Sequence, residues 1–344
     1  MSRRQIALIG LGMAVTPHAK SLIDLADRAE VAYAISPSQQ RREAFATRFA
    51  FALGDRLEPV LSDNRVEIAA VLTPPNTHLE IVKQLARAGK HILLEKPLEV
   101  SGERAELLVQ ACRDAGVSLG VVLQHRFKPA AERLSAIVTA GGLGQIVNCS
   151  TSIRLWRPQS YYDEPGRGTL ARDGGGALLT QGIHTLDLML SLAGPVTEVC
   201  GYATTSVLHR MEAEDLVSAA VRFANGAVGI IEATTAAYPG GPERIELIGT
   251  RGTASLAGTA LSVKYHDGRG EEVAADASAG GTGADPMAFP HAYHLSVWRD
   301  FLDALEQKRS PRVSGDEALK VQRLIEALIA AAASDRKLSI GMDR

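Results

Sequence analysis

Cysteine is scarce in this chain. Among 344 residues there are three, Cys112, Cys149 and Cys200. Their spacing matches no zinc or redox motif, and any disulfide scheme leaves one unpaired, so a reducing cytoplasm is expected and no metal centre. An excess of charge of one sign is also missing. Lys and Arg number 37 against 39 Asp and Glu, for a net charge of −2, and the two signs are interspersed, so neither nucleic acid nor an anionic membrane is expected as a partner. No run of about 18 uncharged apolar residues occurs, so no membrane span is expected. The alanine-rich stretch Leu324–Ala333 is too short and reads as a packed helix. Internal repeats are absent. Ser2-Arg3-Arg4 before an apolar stretch imitates a twin-arginine export signal, but that stretch contains a glycine-rich turn that cleavage would destroy, so export is not expected.

What remains is a hydrophobic content of 46% and a charged content of 22%, ordinary values for a globular protein of a length that favours two domains, each with its own core. Through residue 123 short apolar runs alternate with amphipathic segments: Gln5–Ile9, Val15–Ala29, Val31–Ile35, Ser38–Phe49, Glu67–Leu72, Thr77–Ala88, His91–Leu94, Gly102–Ala115 and Ser118–Val122. That alternation predicts a parallel, doubly wound sheet covered by helices. A helix begins near Phe127-Lys128-Pro129.

Over residues 124–344 the texture changes. Gln145–Trp156, Glu198–Val207, Asp215–Phe223, Ala227–Ala237, Arg244–Ile248 and Ala260–His266 read as strands, with Asn225-Gly226 a hairpin turn. This half is expected to be an α+β domain on a mostly antiparallel open sheet. Helices over Ala292–Gln307 and Gly315–Ser334 follow and return to the body of the molecule, and Ala274–Ala284 reads as a surface loop.

Gly10-Leu11-Gly12-Met13-Ala14-Val15 follows the first strand and opens the first helix, the context that gives a glycine turn meaning. Gly10 permits the turn, and Gly12 lets a pyrophosphate approach unpaired N–H groups at the helix start. The third glycine is replaced by Val15. At the end of the second strand stands Ser36, with no carboxylate to grip a ribose hydroxyl or repel a phosphate. Arg41 and Arg42 follow, so NADP is expected, with NAD the alternative. Thr73-Pro74-Pro75-Asn76-Thr77-His78 ends a further strand at the same edge, which makes Thr73, Pro74, Asn76 and His78 candidate cofactor contacts. Asn76 has a competing structural use as a helix N-cap.

Glu95-Lys96-Pro97 closes the strand His91–Leu94. A lysine is costly to bury, and the proline after it stops the strand, with a cis bond one way of fixing the turn. Lys96 would face the reactive end of a bound dinucleotide, and Glu95 is a further candidate cofactor contact.

Together with Gly174-Gly175-Gly176-Ala177 and His184-Thr185-Leu186-Asp187, these motifs resemble the Gfo/Idh/MocA oxidoreductase family over nearly the whole chain. The resemblance implies an N-terminal Rossmann domain and a C-terminal domain whose open sheet serves oligomerisation as a homodimer or homotetramer. It also implies hydride transfer between NAD(P) and a sugar, inositol or related cyclic polyol. Lys96 matches the family's active-site lysine, and Gly182-Ile183-His184 its histidine. Either group suits proton transfer, and the other then stabilises charge on the substrate oxygen. The family commonly has Asp or Asn four residues before that histidine, whereas here the position is Thr180, a candidate substrate contact that cannot stabilise an imidazolium as a carboxylate would. Arg154, Trp156, Arg157, Tyr161 and Tyr162 sit where relatives line the pocket, with Arg157, Tyr161 and Tyr162 the candidate contacts, and His291 resembles a position near it. Dihydrodiol or aromatic-alcohol oxidation within the family, and a non-catalytic dinucleotide-binding regulator, are the alternative readings.

Overall fold

A computed structural model describes residues 3–276 and 290–341. The chain forms two compact units, residues 1–124 with 290–319, and residues 125–289 with 320–344.

The first unit holds a six-stranded parallel sheet of β1 (Arg4–Ile9), β2 (Ala29–Ile35), β3 (Leu53–Gly54), β4 (Val66–Val71), β5 (His91–Leu94) and β6 (Leu119–Val121). Their order in the sheet is β3-β2-β1-β4-β5-β6. Ile6, Ala7, Leu8, Ile68, Ala69, Ala70, Ile92 and Leu94 are fully buried, because helices cover both faces and neither side of a central strand meets water. Burying each Leu or Ile contributes about 1.5–3 kcal/mol relative to exposure. The covering helices are α1 (Val15–Asp24), α2 (Gln39–Ala46), α3 (Glu58–Ser62), α4 (His78–Arg87) and α5 (Gly102–Asp114). A helix from much later in the chain, α10 (Ala292–Gln307), also belongs here and packs along α1, with Trp298 bonded to His18 and Phe301 buried against Gly120 of β6.

The second unit is built on nine strands in the order β14-β13-β12-β11-β7-β10-β9-β8-β15. They are β7 (Ile146–Arg154), β8 (Val196–Thr204), β9 (Leu216–Phe223), β10 (Val228–Thr234), β11 (Arg244–Gly249), β12 (Gly252–Ala257), β13 (Ala260–Tyr265), β14 (Gly270–Val273) and β15 (Leu338–Ser339). Only β10 and β7 run parallel. The Asn225-Gly226 turn joins β9 to β10, with Gly226 at φ +88°, a conformation in which a side chain is strained. One face of the sheet carries α6 (Pro129–Thr139) and α9 (Ile183–Ala193), with the short helices α7 (Gln159–Tyr162) and α8 (Leu170–Asp173) in the connection before α9. The helix α11 (Gly315–Ser334) follows α10 in the chain.

Strands β3, β12, β14 and β15 escape the sequence reading. They are short or rich in Gly, Thr and Ser, and they pair by position rather than by an apolar signal. The expected loop Ala274–Ala284 lies, from residue 277 on, outside the described residues. Among the described residues no helix is long and apolar enough to cross a membrane.

Candidate active site

At the carboxyl ends of the first unit's strands the sheet order sets three turns side by side. These follow β1 (Gly10), β4 (Thr73) and β5 (Lys96). Gly10 has φ +101°, and a Cβ there would stand 2.8 Å from the Leu72 carbonyl oxygen, so only glycine fits. A Cβ on Gly12 would meet nothing within 4 Å. That open space lies at the start of α1, where helix N–H groups have no intrahelical acceptor. The two observations fit a pyrophosphate cradled on the backbone of residues 10–14, with Leu11 buried beneath and Met13 half exposed. Ala14 stands at the N-cap of α1.

Ser36 is buried, and its carbonyl oxygen accepts a hydrogen bond from Arg42 at 2.6 Å, which draws that guanidinium to the end of β2. Arg41 is exposed on the same helical turn. Arg48, which the sequence reading passed over, donates to Thr16 Oγ1 at 2.8 Å beside the glycine turn. Ordinary spacing offered no signal for it.

The loop after β4 differs from expectation. Asn76 lies exposed in a single 3₁₀ turn, Pro75–Thr77, and Thr77 is the N-cap of α4, so Asn76 does not cap that helix. His78 has no exposed surface. Its ring nitrogens lie 2.8 Å from the Thr73 carbonyl oxygen and 3.1 Å from those of Pro97 and Leu98, so it staples the loop after β4 to the loop after β5 instead of facing a ligand. Burial pushes its pKa below the usual range, against the pull of those carbonyls.

The Lys96–Pro97 peptide is cis. Glu95 turns inward, away from the role expected for it. Its Oε1 accepts from His18 Nε2 at 2.9 Å and lies 3.7 Å from His294 Nε2, and its Oε2 accepts the Lys96 backbone N–H at 3.1 Å. Burial alone would raise this carboxyl, but the bond from His18 and the nearby His294 outweigh it and hold its pKa well below the ordinary carboxylate range. His291, expected near the substrate, sits instead at the N-cap of α10. It bonds Asp24 at 2.7 Å in the last turn of α1, about 14 Å along that helix from its start at 1.5 Å per residue.

In the second unit His184 follows a single π-helical turn, Leu178–Gly182, a feature that often marks functional sites. The turn is braced by Glu214, whose carboxylate accepts the N–H groups of Gly176 and Leu178 at 3.0 Å each. A Cβ on Gly176 would fall 1.8 Å from the Glu214 carbonyl oxygen, so the third glycine of the triplet admits no side chain. Burial raises the Glu214 pKa against those backbone bonds. The Thr180 hydroxyl faces two protein acceptors, the Gly176 carbonyl oxygen at 2.7 Å and the Gln181 side-chain oxygen.

Tyr161 accepts from Arg167 at 2.7 Å and from Gln181 at 3.4 Å, and the Arg157 guanidinium stands 5.6 Å over its ring. Tyr162 turns into the core. Its hydroxyl bonds Thr235 at 2.6 Å and burial pushes its pKa up to about 12, so its reading as a substrate contact is corrected. Asp187, one turn after His184, is buried in a two-pronged pair with Arg126 at 2.6 and 2.7 Å, so its charge is neutralised structurally. His125, Lys128 and Glu243 line a small cleft with Thr185, and the His125 ring centroid lies 4.9 Å from that of His184. Burial lowers the Lys128 pKa, opposed by Glu243. Position alone reveals His125 and Glu243, since no motif spacing joins them.

A larger surface cleft, about 620 Å³, opens at the amino ends of β1, β5 and β6, lined by Arg4, His91, Cys112 and Lys308 among others. It is at the edge away from the glycine turn, and Arg4 is tied to Glu67 there.

A parallel sheet with a glycine turn after β1, a lysine after β5 and a separate α+β unit defines a dinucleotide-dependent oxidoreductase. Residues 4–123 match the oxidoreductase family with an NAD-binding Rossmann fold, and residues 131–255 match the GFO/IDH/MocA C-terminal domain. The chain belongs to the Gfo/Idh/MocA oxidoreductase family. It is 30% identical over 258 residues to the myo-inositol 2-dehydrogenase of Thermotoga maritima, covering 72% of this chain and 73% of that one. It is 26% identical over 343 residues to the D-apiose dehydrogenase of Paraburkholderia graminis, covering 97% and 89%. Among solved structures, the WlbA dehydrogenase of Bordetella pertussis, in complex with NADH and UDP-GlcNAcA, superposes with a TM-score of 0.85 at 27% identity, over 99% of this chain and 100% of that one.

Proposed function

We propose that the protein oxidises a secondary alcohol of a sugar, inositol or related cyclic polyol, or reduces the corresponding ketone, with NADP preferred over NAD. The observation that carries this reading is the placement of Lys96. Two strand spacings of about 4.8 Å separate β1 from β5, so the lysine backbone sits about 10 Å along the carboxyl edge from the glycine turn, beyond the place of a pyrophosphate. When bound, the dinucleotide accepts or returns hydride. Lys96 and His184 are the proposed catalytic residues. One takes the hydroxyl proton, and the other stabilises charge developing on the same oxygen. Gly10, Gly12, Thr73 and Pro74 would hold the dinucleotide. Arg42 and Arg41 would hold its 2′-phosphate, and Tyr161 and Arg157 would contact substrate hydroxyls. Relatives named for myo-inositol and D-apiose support the substrate class. Exposed apolar residues among the ion pairs of the second sheet's open face, Tyr202, Val228, Ile230 and Ile248, support assembly as a homodimer or homotetramer.

The test is to follow NADH or NADPH formation with myo-inositol, scyllo-inositol, levoglucosan, D-xylose and D-apiose. Lys96→Ala is expected to lower kcat by about a thousandfold or more with dinucleotide binding retained, and unchanged turnover refutes the assignment. Arg42→Ala is expected to weaken NADPH binding about tenfold and NADH binding little, in keeping with loss of one charge-assisted contact. Equal weakening of both removes the NADP preference.

A further inference from the structure

Behind the Lys96 turn three groups of a kind that ligates metals converge. Ring nitrogens of His18 and His294 and the Glu95 carboxylate lie within 4.8 Å of one another. A divalent cation is the first candidate occupant, and it fails on the position of one proton. The Trp298 indole N–H donates to His18 Nδ1 at 3.0 Å, and an indole nitrogen can only donate. Nδ1 is therefore the acceptor nitrogen of His18, which places the proton of a neutral imidazole on Nε2. That N–H points at Glu95 Oε1, 2.9 Å away. The nitrogen that faces the carboxylate thus has no lone pair to give a metal. Binding one would move the proton to Nδ1, against the indole N–H.

The same assignment orders the rest. Trp298 donates to His18, and His18 donates to one oxygen of Glu95. The other oxygen of Glu95 accepts the backbone N–H of Lys96 at 3.1 Å. His294 Nε2 stands 3.7 Å from the first oxygen, beyond hydrogen-bond distance. Trp298 and His18 are fully buried, so water does not compete for these bonds, and each is stronger for the low local dielectric. His18 also lies on α1, one turn past the residues that open it after the glycine turn. One buried anchor therefore ties the glycine turn to the turn that carries Lys96.

Taking Lys96 as catalytic, as proposed above, we infer that Trp298, His18 and Glu95 are positioning residues. They form a one-directional hydrogen-bond series that sets the backbone from which Lys96 projects, in a cluster that holds no metal. A lysine has a long flexible stem, so the place of its Cα decides which positions its ammonium can reach. Misplacing a reacting group by about 1 Å can cost on the order of a hundredfold in rate.

Nitrogen-15 NMR of the wild-type protein reads the tautomer directly, with His18 assigned by its loss in His18→Gln. A single form protonated at Nε2 is expected, and protonation at Nδ1 overturns the series. Titration with zinc chloride is expected to show no site that His18→Gln removes, and a His18-dependent zinc site overturns it equally. In Trp298→Phe, which deletes the N–H and keeps an aromatic ring, kcat on the best substrate of the panel is expected to fall about tenfold or more. KM and the Kd values for NADH and NADPH should stay within about twofold. Unchanged kcat, or a matching loss of dinucleotide binding, counts against positioning. If Trp298→Phe fails to fold, Glu95→Gln serves in its place. It keeps the side-chain shape but leaves one acceptor oxygen for two donors, and the same split is expected. The NMR and zinc experiments need no turnover. Failure to find any substrate would therefore count against the proposed function and leave those two measurements to decide the tautomer and the metal.

Discussion

The two sheets of this protein solve burial in opposite ways. In the first unit β1, β4 and β5 are buried on both faces, so surface for chemistry is left only at the strand ends, where the turns carry Gly10, Thr73 and Lys96. In the second unit β9 and β11 alternate strictly between exposed and buried residues. One face forms the core under α9, and the other stays open with ion pairs such as Arg154–Glu232 and Arg222–Glu198 crossing between strands. A parallel sheet offers an edge to a ligand, whereas an open antiparallel one offers a face. The difference follows from connection type, because helical crossovers cover both sides and hairpins cover neither.

Three measurements would break or sharpen that contrast. The largest stability effect is expected in the second unit, where Asp187, buried on the helix of His184, pairs with Arg126. Arg126→Ala should cost about 3–5 kcal/mol in denaturant unfolding, because it strands a buried carboxylate, and replacing both partners by apolar residues should recover most of it. A cost under about 1 kcal/mol would mean that water reaches the pair.

A smaller effect should separate the units by pH. In the first unit burial lowers the pKa values of His78 and His294, and Glu95 is held well below its ordinary value by its histidine partners despite burial. Each folded pKa lies below its unfolded one, so each contributes stability that is full above the unfolded value and lost on acidification. The loss begins at about pH 6.5 for the histidines and about pH 4.3 for the carboxylate. Glu214 in the second unit has the opposite sign. Burial raises it, so its contribution is present at low pH and lost as pH rises through its folded value. Hydrogen exchange from pH 7 to pH 5 should therefore loosen the first unit before the second, and the reverse order refutes this account. The smallest effect on stability is expected from Ile230→Glu on the open face, within about 0.5 kcal/mol. If the proposed assembly uses this face, light scattering should show a smaller mass for the variant, and an unchanged mass counts against that assembly.

Much of this architecture was legible in the residues. The alternation of apolar runs and helices, the Asn225-Gly226 hairpin and the turns after β1 and β5 are local patterns, set by periodicity and by what glycine and proline permit. What stayed hidden depends on direction or distance. Glu95 and His78 share motifs with Lys96 and Thr73, yet their side chains point into the protein, and spacing along a chain does not say which way a turn aims its residues. Tyr162 points inward while its neighbour Tyr161 does not. Glu214, His125 and Trp298 act on motifs far away in sequence, and nothing in their own neighbourhoods announces it.

The membership of α10 in the first unit also bears on how the chain is made. Trp298 and His294 complete the interior behind Lys96, yet they emerge long after Gln124 closes the first run of strands. At a synthesis rate of about 5–20 residues per second, the nascent sheet waits roughly 10–35 s for that helix. Throughout that interval the α1 surface meant for α10 is uncovered, and a fragment ending near residue 124 would keep it uncovered permanently. The dinucleotide half of this protein is continuous on paper as a sequence motif but is finished, as a folded object, only by residues 290–319.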